Sequence, residues 1–321
     1  MYKMKNTEEL NLTKDWDKIF PLSENVNHKK VTFVNRYGIT LAADLYIPKQ
    51  FEGKLPAIAV SGPYGAVKEQ ASGLYAMTLA QRGYITMAFD PSFTGESGGN
   101  VRLVSSADIN TEDFCAAVDY LVCLENVNPE KIGIIGICGF GGLSISAAAQ
   151  DARIKATVSS TMGSFDDFTH EQRIEARKKL SLQRTADVKN GTYKNAKSLP
   201  EPCPEDAPDF IKQYCDFYHT KRGYHPRSVN SGLGWNSTSG LSHYTFSLFD
   251  YADEIENAVL LVHGDKAYSY YASQKIFKLL KGNNKELYTV KDATHCDLYD
   301  GGGKNAIPFD KIDEFFKANL K

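Results

Sequence analysis

Two rhythms of apolar and polar residues run along this chain. Between 31 and 48, "VTFVNRYGITLAADLYIP" alternates apolar and polar positions on both sides of Tyr37-Gly38, which predicts a hairpin at a sheet edge. Beyond it the apolar residues gather into blocks: "AIAVS" (57–61), "YITMAFD" (84–90), "IGIIGI" (132–137), "KATVSS" (155–160) and "AVLLVHG" (258–264). Longer segments of helical spacing separate them. "KEQASGLYAMTLAQRG" ends on Gly83 as a helix C-cap does, and "SADINTEDFCAAVDYLVCLEN" repeats its apolar residues at helical spacing. Short buried strands alternating with helices require parallel strands joined by crossovers. The expected fold class is therefore α/β, a doubly wound and mostly parallel sheet.

One interval breaks that alternation. Almost a hundred residues separate the strand ending near Ser160 from the one starting near Ala258, far more than a simple crossover needs. The interval opens polar and helix-prone and passes through the proline-rich "KNAKSLPEPCPEDAPDF". It closes dense in aromatics and cations with "YCDFYHTKRGYHPRSVNSGLGW". It predicts an inserted helical cap over 162–250, with a core formed by 1–161 and 251–321 and an N-terminal extension over 1–28.

Composition narrows the function classes. The 321 residues are 42% hydrophobic and 24% charged, with a formal net charge of −2, the profile of an ordinary globular chain without the basic stripe that neutralises phosphates. Nucleic acid is not expected as a partner. No stretch approaches about 18 uninterrupted apolar residues and the start is polar, so neither a membrane nor an export signal is expected and the expected location is cytoplasmic. Six cysteines stand without C-x-x-C spacing, which disfavours structural zinc and disulfides. Cys115 and Cys123 fall near one helix face as small hydrophobes. No cofactor and no metal are expected; the expected partner is a small-molecule acyl substrate, and self-association into a homo-oligomer is allowed for.

Chemistry concentrates at "KIGIIGICGFGG". Cys138 follows an apolar strand and precedes a small-residue helix, at the carboxyl end of a strand, where ligands of α/β sheets collect. G-x-C-x-G gives the thiol a sharp turn, with Gly136, Gly139, Gly141 and Gly142 removing side chains that would collide with neighbouring elements. The helix terminus behind it favours thiolate, and the Gly139 N–H is placed to receive an oxyanion. "GICGFGG" has neither the G-x-G-x-x-G nor the G-K-[ST] spacing of phosphate-binding loops.

A thiol nucleophile needs a base, and in "KELYTVKDATHCDLYD" His295 follows the last strand, the address from which this architecture draws one. The acid is expected at Ala267, where none exists; Asp265 lies two residues earlier in "VHGDKAYSYYAS", and Asp166, Asp167 or a cysteine–histidine pair without an acid are the alternatives. The second oxyanion donor belongs to "SGPYGAVKEQ", where Pro63 has no N–H and Tyr64 offers either its backbone N–H or its phenol.

Taken together, "NRYGITLAADLYIP", "GPYGAVKEQASGLYA", "FDPSFTGESGG", "IGIIGICGFGG", "GYHPRS" and "DATHCDLYD" resemble the α/β-hydrolase superfamily, in its dienelactone hydrolase-like branch with a cysteine at the elbow. The resemblance spans the chain and implies thioesterase or acyltransferase relatives in polyketide pathways. The "PY" pair resembles cocaine esterase-type enzymes, which implies an oxyanion role for Tyr64. The long insertion and Ala267 depart from dienelactone hydrolase itself.

The expected function is hydrolysis of an ester, thioester or lactone through an acyl-Cys138 intermediate, with Cys138, His295 and Asp265 as the triad. An acyltransferase using the same intermediate, or an inactive hydrolase fold that binds a ligand, is the alternative. In "KRGYHPRS", Arg222, His225 and Arg227 are candidates for holding an anionic substrate group or for tying the cap to itself. "FDPSFTGESGG" reads as glycine turn chemistry rather than as a catalytic use of Asp90 or Glu96.

Overall fold

The computed structural model describes residues 2–163 and 168–321. The hairpin appears as β1 (Val26–Val34) and β2 (Thr40–Pro48), antiparallel with Val34 opposite Thr40. The apolar blocks form β3 (Leu55–Ser61), β4 (Ile85–Phe89), β5 (Val127–Ile137) and β6 (Ile154–Ser160). Across the long interval follow β9 (Ala258–Gly264) and β10 (Lys285–Val290), the numbers β7 and β8 belonging to the two-residue strands Asn195–Ala196 and Trp235–Asn236. The eight-stranded sheet runs β1-β2-β4-β3-β5-β6-β9-β10, parallel from β4 to β10.

Period-two alternation sorts the strand residues into two apolar layers. Ala57, Ala59, Ile132, Ile134, Val259 and Leu261 share one cluster with α2 (Ala107–Val122) and α3 (Gly139–Gln150). Their alternates Ile58, Val60, Ile135, Leu260 and Val262 share the other with α1 (Ala71–Ala80) and α8 (Phe309–Asn319). Helices on both faces bury the central strands β3, β4, β6 and β9, which is why these read as apolar runs.

The strand order also places the site. From β3 the chain crosses to β4 on one side and then returns to β5 on the other, so the loops leaving β3 and β5 diverge and open a crevice at their carboxyl ends. Tyr64 lies in the first loop and Cys138 in the second. The β6–β9 connection carries α4 (His170–Asn190) and α5 (Asp209–His219). α4 starts on a capping box between Thr169 and Gln172 and stops at Gly191 in the left-handed conformation. α5 brings Tyr214 against His295, with ring centroids 5.5 Å apart. Among the described residues no helix is long and apolar enough to cross a membrane.

Candidate active site

Cys138 stands between β5 and α3 at φ 58° and ψ −126°, a strained conformation for any residue with a Cβ, of a kind that clusters at active sites. The turn is fixed on both sides: Cys138 N–H donates to Ser160 O (2.9 Å), and its carbonyl accepts from Gly141 N (2.8 Å) and Gly163 N (2.9 Å). It is also packed too tightly for ordinary side chains, since a Cβ on Gly136 would lie 2.0 Å from Phe140 O. The backbone N–H groups of Gly139 and Tyr64 and the hydroxyls of Tyr299 and Tyr214 all reach the sulfur as hydrogen-bond donors to a thiolate.

Both candidate oxyanion donors are therefore brought to one point, and Tyr64 contributes its backbone. Its ring turns away, packing 4.4 Å from Trp235, and its hydroxyl bonds to Ser105 and Ser239. The helix terminus does not win at the sulfur: burial pushes the Cys138 thiol up, and the donors only offset part of that. The resting thiol is protonated, contrary to the thiolate expected from the helix dipole.

His295 is only 1% exposed. Its Nε2 meets the Tyr299 hydroxyl at 3.0 Å and its Nδ1 meets Ser269 Oγ at 2.6 Å. Tyr299 thus touches both Cys138 and His295 and bridges them. Burial, with His263 as a second cause, holds the imidazole well below its ordinary range, so it rests neutral.

The expected acid is not there. Asp265 accepts from the Asp292 N–H (2.8 Å) in the turn after β10, its carboxylate engaged away from the imidazole, and a serine four residues further along occupies Nδ1. Asp166 and Asp167 lie outside the described residues. We expect Asp265→Asn, which keeps that acceptor, to leave activity on any ester substrate within about twofold of the parent, the range of substitutions outside special features. A loss near 10⁴-fold, as for a displaced triad acid, would restore Asp265 to the site.

Two of these partners carried weak sequence signals. Tyr299 lies four residues after His295, the spacing of neighbours on a helix face, within the single turn of α7 (Asp297–Asp300). Ser269 precedes α6 (Tyr270–Leu279), and nothing in its local sequence marks it.

The sulfur faces a cavity of about 360 Å³ lined by Leu199, Tyr214, Trp235, Tyr268 and Tyr271 with Ser198 and Asn230. No charged side chain lines it among the described residues. Arg222 and Arg227 are outside it, which corrects the expectation that they hold substrate. Arg222 forks onto Asp300 (2.7 and 2.8 Å), with Asp216 at 3.0 Å and Cys296 O at 3.2 Å, so it clamps the segment that carries His295 and Tyr299. Arg227 bonds Asp17 (2.7 Å) and Glu69 (2.8 Å). A planar guanidinium matches carboxylates in this way, and both arginines engage the protein's own acids rather than the cavity. His225 is 3.5 Å from Asp17.

The "FDPSFTGESGG" loop is explained by a buried ion cluster. Lys68 Nζ, fully buried, meets Glu69 (2.7 Å), Asp90 (2.8 Å) and Glu96 (2.7 Å). Asp90 also accepts from the backbone N–H groups of Lys68 (2.7 Å) and Glu96 (2.8 Å). The three carboxylates converge as metal ligands do, and the cation they hold is the lysine ammonium. Gly95 is required beneath them, because a Cβ there would lie 2.2 Å from Asp90 Oδ2.

Residues 37–297 match the model of the X-Pro dipeptidyl-peptidase (S15) family. The chain belongs to that family. With the observed sheet and helices this makes it an α/β-hydrolase, a hydrolase-type fold. Where the S15 peptidases use serine, this chain has Cys138. It is similar to the uncharacterised protein PA2218 of Pseudomonas aeruginosa, 50% identical over 97% of this chain and 86% of that one. The crystal structure of that protein superposes with a TM-score of 0.93, covering 98% of this chain and all of that one. Thiohydrolase aneE of Aspergillus aculeatus is 30% identical over 43% of this chain and 42% of its own. The structure of DcsB with its substrate analogue, 21% identical, covers 92% of this chain and 99% of that one with a TM-score of 0.79, which is likeness of fold.

Proposed function

We propose that the protein is a cysteine-dependent acyl-cleaving enzyme, acting on an ester or thioester of a neutral, largely apolar acyl group by way of an acyl-Cys138 intermediate. The observation that carries this is a strained thiol facing a cavity whose described lining has no charged side chain, with two backbone N–H donors and a hydrogen-bonded tyrosine–imidazole pair beside the sulfur. The relative described as a thiohydrolase and the cysteine-elbow likeness to dienelactone hydrolase-like proteins support the same class.

The step follows from the resting protonation states. As sulfur attacks the acyl carbon, the S–H proton passes to Tyr299 Oη while the Tyr299 proton passes to His295 Nε2. The electron pair left on sulfur forms the S–C bond, and the tyrosine ends neutral. The carbonyl oxygen gains charge against the N–H groups of Gly139 and Tyr64. The imidazolium then returns its proton by the same bridge to the departing alcohol or thiol, and water or another acceptor releases the acyl group.

Incubation with p-nitrophenyl esters and acyl thioesters, followed by mass spectrometry of the quenched protein, is expected to find one acyl group on the peptide containing Cys138. Acylation elsewhere or none at all, with turnover intact, defeats the proposal. Product analysis with alcohols and amines present separates hydrolysis from acyl transfer.

The depressed His295 sets the pH profile. A base lowered by burial stays neutral to more acid pH than a free imidazole, so kcat/KM is expected to stay level as pH falls from about 8 through about 6.5, where an ordinary histidine titrates. A halving of kcat/KM near pH 6.5 counts against a buried, neutral base.

A further inference from the structure

The Nδ1 side of His295 does not stop at Ser269. Ser269 Oγ lies 3.0 Å from Nε2 of His263, and Nδ1 of His263 lies 2.7 Å from Ser273 Oγ. All four side chains are buried. His263 comes from the carboxyl end of β9, while Ser269 and Ser273 lie one helical turn apart at the start of α6. The sequence gives His263 the look of a core residue at the end of an apolar strand, and the tertiary structure instead turns it toward the site.

Resting on the assignment of Cys138 and His295 above, we propose that Ser269 and His263 are the positioning residues that replace the triad carboxylate, holding His295 by a neutral hydrogen-bond chain. The chain satisfies its members in either direction of donation, and the direction that serves catalysis starts at His295. His295 Nδ1–H donates to Ser269 Oγ, the Ser269 hydroxyl donates to His263 Nε2, and His263 Nδ1–H donates to Ser273 Oγ. That order leaves His295 Nε2 bare and facing Tyr299, the tautomer a general base needs.

Each piece has a physical role. A lone serine is a poor substitute for a carboxylate, because its oxygen carries only a partial charge. Donation into a second imidazole polarises its O–H bond and makes the oxygen a better acceptor when His295 becomes cationic. His263 must then be a neutral acceptor, and burial pushes it down to about 3, so it is unprotonated throughout the working range. Thiol chemistry tolerates the weaker partner, since sulfur depends less on full base strength than a serine hydroxyl does.

The test uses Ser269→Ala, Ser269→Thr, His263→Phe and the Ser269→Ala/His263→Phe double variant, assayed for kcat/KM on one p-nitrophenyl ester. Ser269→Ala and His263→Phe are each expected to lose about 10- to 100-fold, the effect of removing a hydrogen-bonded partner from a catalytic imidazole. The double variant is expected to lose no more than the worse single one, because the chain acts as a unit. Ser269→Thr keeps the hydroxyl at a position that lines the cavity, so it is expected to return to within a few-fold of the parent.

Full activity in Ser269→Ala, additive losses in the double variant, or a Thr variant as poor as Ala overturns the proposal. Thermal melting and one-to-one alkylation of Cys138 by iodoacetamide show which variants are folded; if His263→Phe is not, His263→Asn takes its place. Cys138→Ala is the separating control. If it retains activity the nucleophile assignment falls, whereas an inactive Cys138→Ala beside a fully active Ser269→Ala removes the chain alone.

Discussion

Cys138→Ala is expected to lose acyl-cleaving activity by about 10³-fold or more while remaining folded, because removal of a nucleophile abolishes the covalent route and leaves only the oxyanion donors and binding. The companion variant Cys138→Gly is expected to be equally inactive and more stable than the parent. At φ 58° and ψ −126° a Cβ costs on the order of 1–3 kcal/mol, and glycine has no Cβ to strain. Part of that gain is lost to the greater freedom of glycine in the unfolded chain, so a rise of about 1 kcal/mol by urea unfolding is the expected net result. An inactive Cys138→Gly that is less stable than Cys138→Ala would mean that the elbow stores no strain. Retention of parental turnover by either variant would remove the sulfur from the reaction. Cys138→Ser is the more informative intermediate: its hydroxyl is a weaker nucleophile that leans harder on the base, and its Nδ1 partner here is a serine. It is expected to fall far below the parent on thioesters.

The largest stability effect is expected at Lys68. Its ammonium is fully buried and meets Glu69, Asp90 and Glu96. Lys68→Met keeps the volume and removes the charge, stranding carboxylates that cannot reach water. Breaking a buried ion pair from one side costs about 3–5 kcal/mol, a third or more of a typical domain's stability. Lys30 and Arg227 also reach Glu69, at 3.3 and 2.8 Å, and keep the loss from growing further. The deficit carries a pH signature. In the parent, Glu69 and Glu96 are held below the ordinary carboxylate range by Lys68 and its neighbours against the opposing effect of burial. Their contribution is complete above about pH 4.5 and fades as pH falls through the folded values. Asp90 has the opposite sign, since burial raises it. Without Lys68 the stranded groups take up protons at higher pH, so the gap between variant and parent is expected to narrow from pH 7 to pH 5. A Lys68→Met protein within about 1 kcal/mol of the parent at pH 7 by urea unfolding would show that the cluster contributes little.

Local chemistry made the elbow readable. Apolar blocks of five to seven residues have few options beyond buried strands, and a cysteine flanked by glycines where such a block meets a small-residue helix leaves little choice of backbone. Chain order then gave His295 its place, because the loop after the last strand returns to the elbow. Tyr64 was readable as an oxyanion donor, but whether it serves by phenol or by N–H depended on Trp235, Ser105 and Ser239, which come from distant parts of the chain.

The sequence by itself determined the doubly wound sheet, the bend that carries the thiol and the loop that carries the imidazole, since these follow from periodicity, glycine placement and the fixed hand of crossovers. Only the tertiary structure decided what surrounds them. Asp265 and Ser269 share one loop, and the turn at Asp292 draws the first away while the start of α6 aims the second at Nδ1. For Arg222 and Arg227 the sequence left open an anion-holding role or a tie of the cap to itself, and the carboxylates brought near from Asp300 and Asp17 decided for ties within the protein. A side chain's partner in a buried network is set by which elements pack together, and that information is spread over the whole chain rather than written beside the residue it concerns.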